Sequence, residues 1–329
     1  MPYDWGPTAD RGFIERLRAL TEHHGAVLVV VDARMHKETA LHAVRKLAEG
    51  EVSAIIGPMT SQTAVIIVPT INNLKIPLIS PTVSTNELSG IDDYFFRVYY
   101  TNAQAAQLLA RDLTEQGKPL HIAAIYDLGN RAYTEDWVQS FQNMFEKQPG
   151  SKVTRIPFDI RTNTLYTDLA TMAIEANPDG ILLLANAVDT AMVCQQLAKL
   201  DAEPALYATG WSYSDDLIQF GGKSVEGLAI IQSADPEDPA PAMQSFVKRY
   251  RQRFRATPNF PAVHAYDATR LILTIMRQET GPEAIRNHLL NMGSFSGLQS
   301  DLSVDRFGEL KHPRLHFARI ANGQFVSAD

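Results

Sequence analysis

Between Val52 and Leu88 the chain reads VSAIIGPMTSQTAVIIVPTINNLKIPLISPTVSTNEL, and no other stretch constrains the fold as much. Its two short apolar runs, residues 53–56 and 76–80, are too short for buried helices and predict strands covered on both faces. Each run ends in a polar loop punctuated by proline: Gly57-Pro58-Met59-Thr60-Ser61-Gln62 after the first, Pro81-Thr82-Val83-Ser84-Thr85 after the second. Helical spacing follows both loops, which predicts two neighbouring strand–loop–helix units of a parallel sheet. Ligands of such sheets sit beyond the carboxyl ends of the strands, where helix amino ends leave N–H groups unpaired. Ser61 and Ser84 stand at the two expected helix starts, and Ser84 with Glu87 fits the S-x-x-E capping box. Either serine can be a plain cap. Two hydroxyl-bearing loops side by side also suit an anionic group, because hydroxyl, backbone N–H and helix dipole all favour negative charge there.

The same rhythm runs along the chain. Residues 8–20 predict a helix, 26–31 a buried strand with Asp32 at its end, and 38–50 a helix closed by Gly50. Residues 94–98 predict a short strand, and Asn102 is the expected cap of the helix that follows. After the break at Gly117-Lys118-Pro119 a second series begins. Its strands are expected at 122–126, 153–158, 180–184, 206–209 and 225–233, with helices between them. Ala234 to Pro241 is the richest linker signal, and three helices are expected after it, over 242–255, 261–277 and 282–292. The tail is strand-like at 302–304, 315–320 and 324–326, with Asn322-Gly323 as a hairpin turn.

A chain of 329 residues, 45% apolar, can bury cores for two domains. Thirty basic and 37 acidic residues, scattered without blocks, leave a net charge of −7 and argue against a nucleic-acid surface. Cys194 is the one cysteine, so an intrachain disulfide is impossible. No apolar run reaches the length of a membrane span. The start, Met1-Pro-Tyr-Asp-Trp-Gly, shows neither the basic region nor the apolar core of a secretory signal.

Catalytic and cofactor motifs are missing. G-x-G-x-x-G, H-E-x-x-H and G-x-S-x-G do not occur. Gly222-Lys223-Ser224 mimics the end of a phosphate loop, but Leu217 stands where its first glycine belongs. The close histidine pairs, His23-His24 and His312/His316, do not suit one metal: adjacent residues project apart, and Pro313 interrupts the second pair. No nucleophile–base pattern is visible. These observations predict no catalytic residues, no metal, no cofactor and no enzyme.

Several stretches together resemble the class I periplasmic solute-binding proteins of ABC transporters, in the branched-chain amino-acid (Leu/Ile/Val) binding group. They are Asp32-Ala33-Arg34 through Ala40, Ala54 to Ser61, Ile76 to Ser84, Phe95-Phe96-Arg97-Val98 and Ile122 to Tyr133. The tail segments Asp305-Arg306-Phe307-Gly308 and Asn322 to Val326 match as well. The resemblance implies an α/β fold of two Rossmann-like three-layer lobes joined by a three-crossing hinge. The lobes are expected as 1–118 with 234–314, and 119–233 with 315–329, crossing near Lys118, Ser233 and Arg314.

By the same resemblance a ligand carboxylate is held by Ser61, Thr82 and Ser84, Trp5 before Gly6 lines the pocket, and Tyr133 closes over the ligand. Two positions depart from the family pattern. Gly210-Trp211 stands where amino-acid binders often place a carboxylate for the ligand ammonium, and Ala187 replaces a family tyrosine. Asp189 is a substitute for the ammonium contact or a helix cap. The expected function is therefore the extracytoplasmic solute-binding component of an ABC importer. It would capture a small carboxylate, an amino acid or related acid, in a cleft that closes around it. The expected partners are that ligand and the membrane permease, with no nucleic acid, and the protein is expected to be a monomer. Location is expected to be periplasmic or extracellular, with the export signal and the family's first strand missing from the start of this chain. A ligand-sensing domain of a receptor or regulator is the alternative on the same fold, and an enzyme on a two-lobed scaffold is a further one.

Overall fold

The computed structural model describes residues 28–31, 36–115, 117, 120–162, 164–200 and 204–328. The expected helix over 8–20, Trp5, Asp32 and Lys118 lie outside them. In chain order the elements begin with α1 (Lys37–Glu49), β1 (Ile55–Ile56), α2 (Ser61–Leu74), β2 (Leu78–Ser80), β3 (Phe95–Arg97) and α3 (Asn102–Glu115). Next come β4 (His121–Asp127), α4 (Arg131–Phe145), β5 (Lys152–Phe158), α5 (Tyr166–Glu175), β6 (Gly180–Leu184) and α6 (Ala187–Leu197). They are followed by β7 (Ala205–Thr209), α7 (Asp215–Gly221), β8 (Ala229–Gln232), α8 (Pro241–Phe254), α9 (Phe260–Ile275) and α10 (Pro282–Asn291). The tail holds β9 (Phe295–Ser296), β10 (Asp301–Leu302), β11 (His316–Ala321) and β12 (Gln324–Ala328).

The chain divides into two compact units. One comprises the residues up to Val83, Leu88–Tyr99 and His264–His312; the other comprises Ser84–Glu87, Tyr100–Val263 and Pro313–Asp329. These bounds count 84–87, 100–118, 234–263 and 313–314 with the second unit, where the sequence predicts the first lobe.

In the first unit β1, β2 and β3 form a parallel sheet in that order, with Ile55 opposite Leu78 and Leu78 opposite Phe95. Successive residues of a strand face opposite ways. Leu78 therefore packs with Val44, Ile67 and Ile71 on one face, while Ile79 packs with Phe96, Leu271 and Leu289 on the other. Both faces are buried, which is why these runs carry no polar alternation. The strand expected over 26–31 does not appear in its described part. Residues 28–31 form no strand pairing among the described residues, and Leu28 and Val30 are 79% and 68% exposed. A parallel strand holds only with a ladder partner, and among the described residues β1 pairs with β2 alone.

The second unit is built on a seven-stranded sheet in the order β12-β11-β8-β7-β6-β4-β5. The five strands from β8 to β5 run parallel, and β11 and β12 are antiparallel additions. Asn322 and Gly323 join β11 to β12 with φ of 52° and 68°, the backbone that a two-residue hairpin requires. From β4 the chain goes out to β5 on one side, then returns to β6 and continues to β7 and β8 on the other. The strand order therefore reverses between β4 and β6. A crevice forms at such a switch point because the loops leaving the two strands diverge, and there parallel sheets take their ligands. Trp137, Phe141 and Phe145 recur at helical spacing on α4 and are fully buried, which anchors that helix.

Candidate functional site

In the first unit Ser61 and Thr82 sit at the carboxyl tips of β1 and β2. Gly57 leaves β1 with φ +131°, a conformation that side chains rarely adopt. The cap of α2 is Thr60, whose extended backbone lets its hydroxyl accept the Thr63 N–H at 3.3 Å. Ser61 is therefore not the cap but the first helical residue, and it is buried. The two loops are stitched together. Ser80 Oγ donates to the Pro58 carbonyl at 3.0 Å, and Thr82 Oγ1 donates to the Met59 carbonyl at 2.6 Å. Ser80 Oγ also accepts the backbone N–H groups of Thr82 and Val83. A hydroxyl has one proton to give. Thr82 thus spends its hydroxyl proton on the first loop and its N–H on Ser80, and in this arrangement it braces the Pro58–Ser61 turn.

Ser84 is buried, and its carbonyl accepts the Asn102 N–H at 2.7 Å. The expected Ser84–Glu87 capping box does not form. Thr85 Oγ1 accepts the Glu87 N–H, and only a single 3-10 turn, Asn86–Leu88, follows. Asn102 is likewise not the cap of α3. Thr101 and Gln104 satisfy each other reciprocally: the Gln104 side chain accepts the Thr101 N–H at 2.8 Å, and Thr101 Oγ1 accepts the Gln104 N–H at 3.3 Å.

The second unit gathers its candidates around the switch point. Beyond β4, Asp127 accepts the Gly129 N–H at 2.8 Å, and a Cβ at Gly129 would lie 2.9 Å from that carboxylate. The Thr134 hydroxyl donates to the Asp127 carbonyl and fixes the first turn of α4. That turn presents Tyr133, which is buried. Burial pushes its hydroxyl well above the ordinary tyrosine value, nearby Tyr100 adds to this, and the Thr209 hydroxyl opposes it. Beyond β7, Gly210 is buried and Trp211 half-buried. The Trp211 ring meets Tyr133 edge to face at 5.6 Å.

Beyond β6, Asn186 caps α6 by accepting the Asp189 N–H, a contact of the kind worth about 1 kcal/mol. Ala187 is buried at the first helical position. Asp189, one of whose expected roles was the cap, instead accepts from the Tyr166 hydroxyl at 2.6 Å and from the Asn186 amide at 2.7 Å. Burial raises Asp127 above the usual carboxylate range; the Gly129 N–H opposes this, and the charges of Asp189 and Asp159 add to it. Tyr166 is pushed up by burial first and by its bond to Asp189 second. The carboxyl edge of this sheet is thus an aromatic pair beside buried, acid-rich polar ground. Sequence reasoning missed Asp127, Tyr166 and Asn186. Only the position of Asp127 at the end of an apolar run could have flagged it.

A separate cavity of about 640 Å³ lies at the amino ends of β7 and β8, lined by residues that include Cys194, Leu206, Tyr207, Lys223 and Ala229. It takes in none of the candidate residues. Among the described residues no group of three or more His, Cys, Asp or Glu is arranged to hold a metal. Among them, too, no helix is long and apolar enough to cross a membrane.

Parallel α/β units with short strand-tip loops and a reversed strand order are those of the class I periplasmic-binding-protein fold. The chain belongs to the periplasmic binding protein family, whose profile matches residues 5–324. Among curated proteins none matches by sequence. Among solved structures, the leucine-binding protein LivK from Thermotoga maritima superposes with a TM-score of 0.84 at 21% identity, over 96% of this chain and 92% of that one. LivJ from Streptococcus pneumoniae, in complex with isoleucine, gives 0.81 at 18% identity over 95% and 89%. A solute-binding protein of an ABC transporter from R. palustris, in complex with benzoate, gives 0.81 at 17% identity over 95% and 89%.

Proposed function

We propose that this protein is the solute-capturing component of an ABC importer, working outside the cytoplasm as a monomer and delivering a small carboxylate to a membrane permease. The observation that carries this reading is the stitched pair of strand-tip loops. Ser80 and Thr82 hold the second loop against Pro58 and Met59, so that Ser61 starts a helix from a rigid base. A hydroxyl at a helix amino end, backed by that helix's N–H groups, suits a carboxylate. Ser61 and Ser84 grip the acid end in this proposal, and Thr82 supports the loop. Trp5, Tyr133, Ala187, Gly210 and Trp211 surround the rest of the ligand, and Asp189 meets an ammonium when the ligand has one. The lobes 1–118 with 234–314, and 119–233 with 315–329, belong to the same proposal.

The ligands of the structural neighbours support the chemistry and set its breadth. Isoleucine and benzoate share a carboxylate on an apolar body and differ in the ammonium. The aromatic Tyr133–Trp211 pair suits the apolar body in either case. Differential scanning fluorimetry with L-leucine, L-isoleucine and benzoate tests the reading. A ligand at a hundred times its Kd should stabilise the fold by about 2.7 kcal/mol. Ser61→Ala and Ser84→Ala should each weaken binding about 10- to 100-fold, the worth of a hydrogen bond to a charged group. Unchanged affinity in both variants would show that these serines do not hold the ligand.

A further inference from the structure

Asn102 is fully buried at the start of a helix that it does not cap, and its side chain is spent elsewhere. Its Nδ2 donates to the Tyr133 carbonyl at 2.9 Å and to Asp136 Oδ2 at 2.7 Å, while its backbone N–H donates to the Ser84 carbonyl at 2.7 Å. One residue therefore touches the backbone of both a proposed acid-gripping position and the proposed closing tyrosine. Asp136, one turn along α4 from Tyr133, completes the tie. Its carboxylate accepts the Asn86 backbone N–H at 2.8 Å and the Asn86 amide at 3.0 and 3.1 Å. Asn86 is held on its other sides too. Its Oδ1 accepts the Ala103 N–H at 3.2 Å, and its Nδ2 donates to Ser140 Oγ at 3.0 Å.

We propose that Asn102 and Asp136 are positioning residues for ligand capture, tying the Ser84–Asn86 segment to the Tyr133 turn by hydrogen bonds. This rests on the reading that Ser84 and Tyr133 face the ligand. Asn102 is fully buried and Asn86 and Asp136 are half-buried, and hydrogen bonds partly shielded from water in this way are strengthened and fix geometry that packing alone leaves looser. The chemistry of the tie is directional. Both partners of the Asn102 amide are acceptors, so only a donor works there. A carboxylate at that position would face the Tyr133 carbonyl and the Asp136 carboxylate, and one of the two acids would have to take up a proton to restore the bond.

The test is calorimetric titration of L-leucine, L-isoleucine and benzoate into the parent, N102D and Y133A, at pH 7.5 and 5.5, with melting curves for each. N102D should bind at least tenfold more weakly than the parent at pH 7.5, with the gap narrowing at pH 5.5. A residue that mattered only for folding would lower the melting temperature and leave the pH-dependent gap absent. If N102D does not fold, Asn86→Ala must show the tenfold loss instead. Parent-like binding by N102D, or by Asn86→Ala in its place, alongside a loss in Y133A overturns the positioning role and leaves the site reading intact. Parent-like binding by Y133A and Ser84→Ala, or no binding of any probe by the parent, removes the site reading and this inference with it.

Discussion

Tyr133 and Trp211 meet edge to face, ring centroids 5.6 Å apart and planes at 90°. One ring comes from the helix after β4 and the other from the loop after β7, so the contact spans the carboxyl edge of the second unit's sheet. Such pairs contribute about 0.5–1.5 kcal/mol beyond simple burial. A double-mutant cycle on Tyr133→Leu and Trp211→Leu, read by urea unfolding, should return a coupling energy in that range. A coupling near zero would mean that the rings are only neighbours.

Asp267 predicts a pH dependence of stability. Both its carboxylate oxygens lie 3.0–3.1 Å from the Leu298 N–H, and burial lifts its pKa from 3.8 to about 6, against that hydrogen bond and the Arg270 charge. The folded state then binds the proton more tightly than the unfolded chain does. This contribution is fully present below the unfolded value and is lost as pH rises through the folded one. Its size is on the order of 3 kcal/mol. The difference in unfolding free energy between the parent and Asp267→Asn should therefore change by roughly that amount between pH 4 and 7, with the parent declining relative to the variant. Parallel profiles would contradict the assignment.

Gly308 and Gly323 separate crowding from backbone preference. Both have positive φ, +78° and +68°. A Cβ at Gly308 would lie 2.6 Å from the Phe95 carbonyl and 2.9 Å from the Phe96 ring, whereas at Gly323 it would meet nothing within 4 Å. Gly323→Ala should cost about 1 kcal/mol. Gly308→Ala should cost about 2–4 kcal/mol, since overpacking adds to the backbone term. Equal losses in denaturant melts would show that the approach to β3 relaxes freely.

Cys194 offers a probe of the second unit. The thiol is buried among Ala191, Leu197 and Leu217, and burial pushes its pKa up to about 12. Thiolate is the reactive form, and an unfolded cysteine titrates near 8.5. Alkylation by iodoacetamide at pH 8 should then be slower by on the order of a thousandfold than in denaturant. Rapid labelling of the native protein would mean that α6 opens readily.

How far the sequence could be read follows the range of each interaction. Apolar runs such as Gly180–Leu184 and the turn Asn322-Gly323 announce themselves because their signals are local: strand burial shows as composition, and a hairpin shows as two residues that tolerate positive φ. Caps were misplaced by one to three residues. Thr60, Thr101 with Gln104, and Asn186 hold the N–H groups that the sequence assigns to Asn102 and, as one of two roles each, to Ser61 and Asp189. Several hydroxyl and amide residues stand within reach of each helix start, and only the backbone angle of the true cap chooses among them.

By itself the sequence determined the alternation of strand and helix, the hydroxyl-bearing loops at the strand tips and the family. These follow from periodicity and short motifs, which neighbouring residues satisfy among themselves. Tertiary structure alone decided the reversal of strand order between β4 and β6, the meeting of Tyr133 with Trp211, and the bonds by which Asn102 and Asp136 hold Ser84, Asn86 and Tyr133. Those partners are far apart along the chain. Packing the whole sheet brings them together, and no local pattern records which distant residue will be there to meet them.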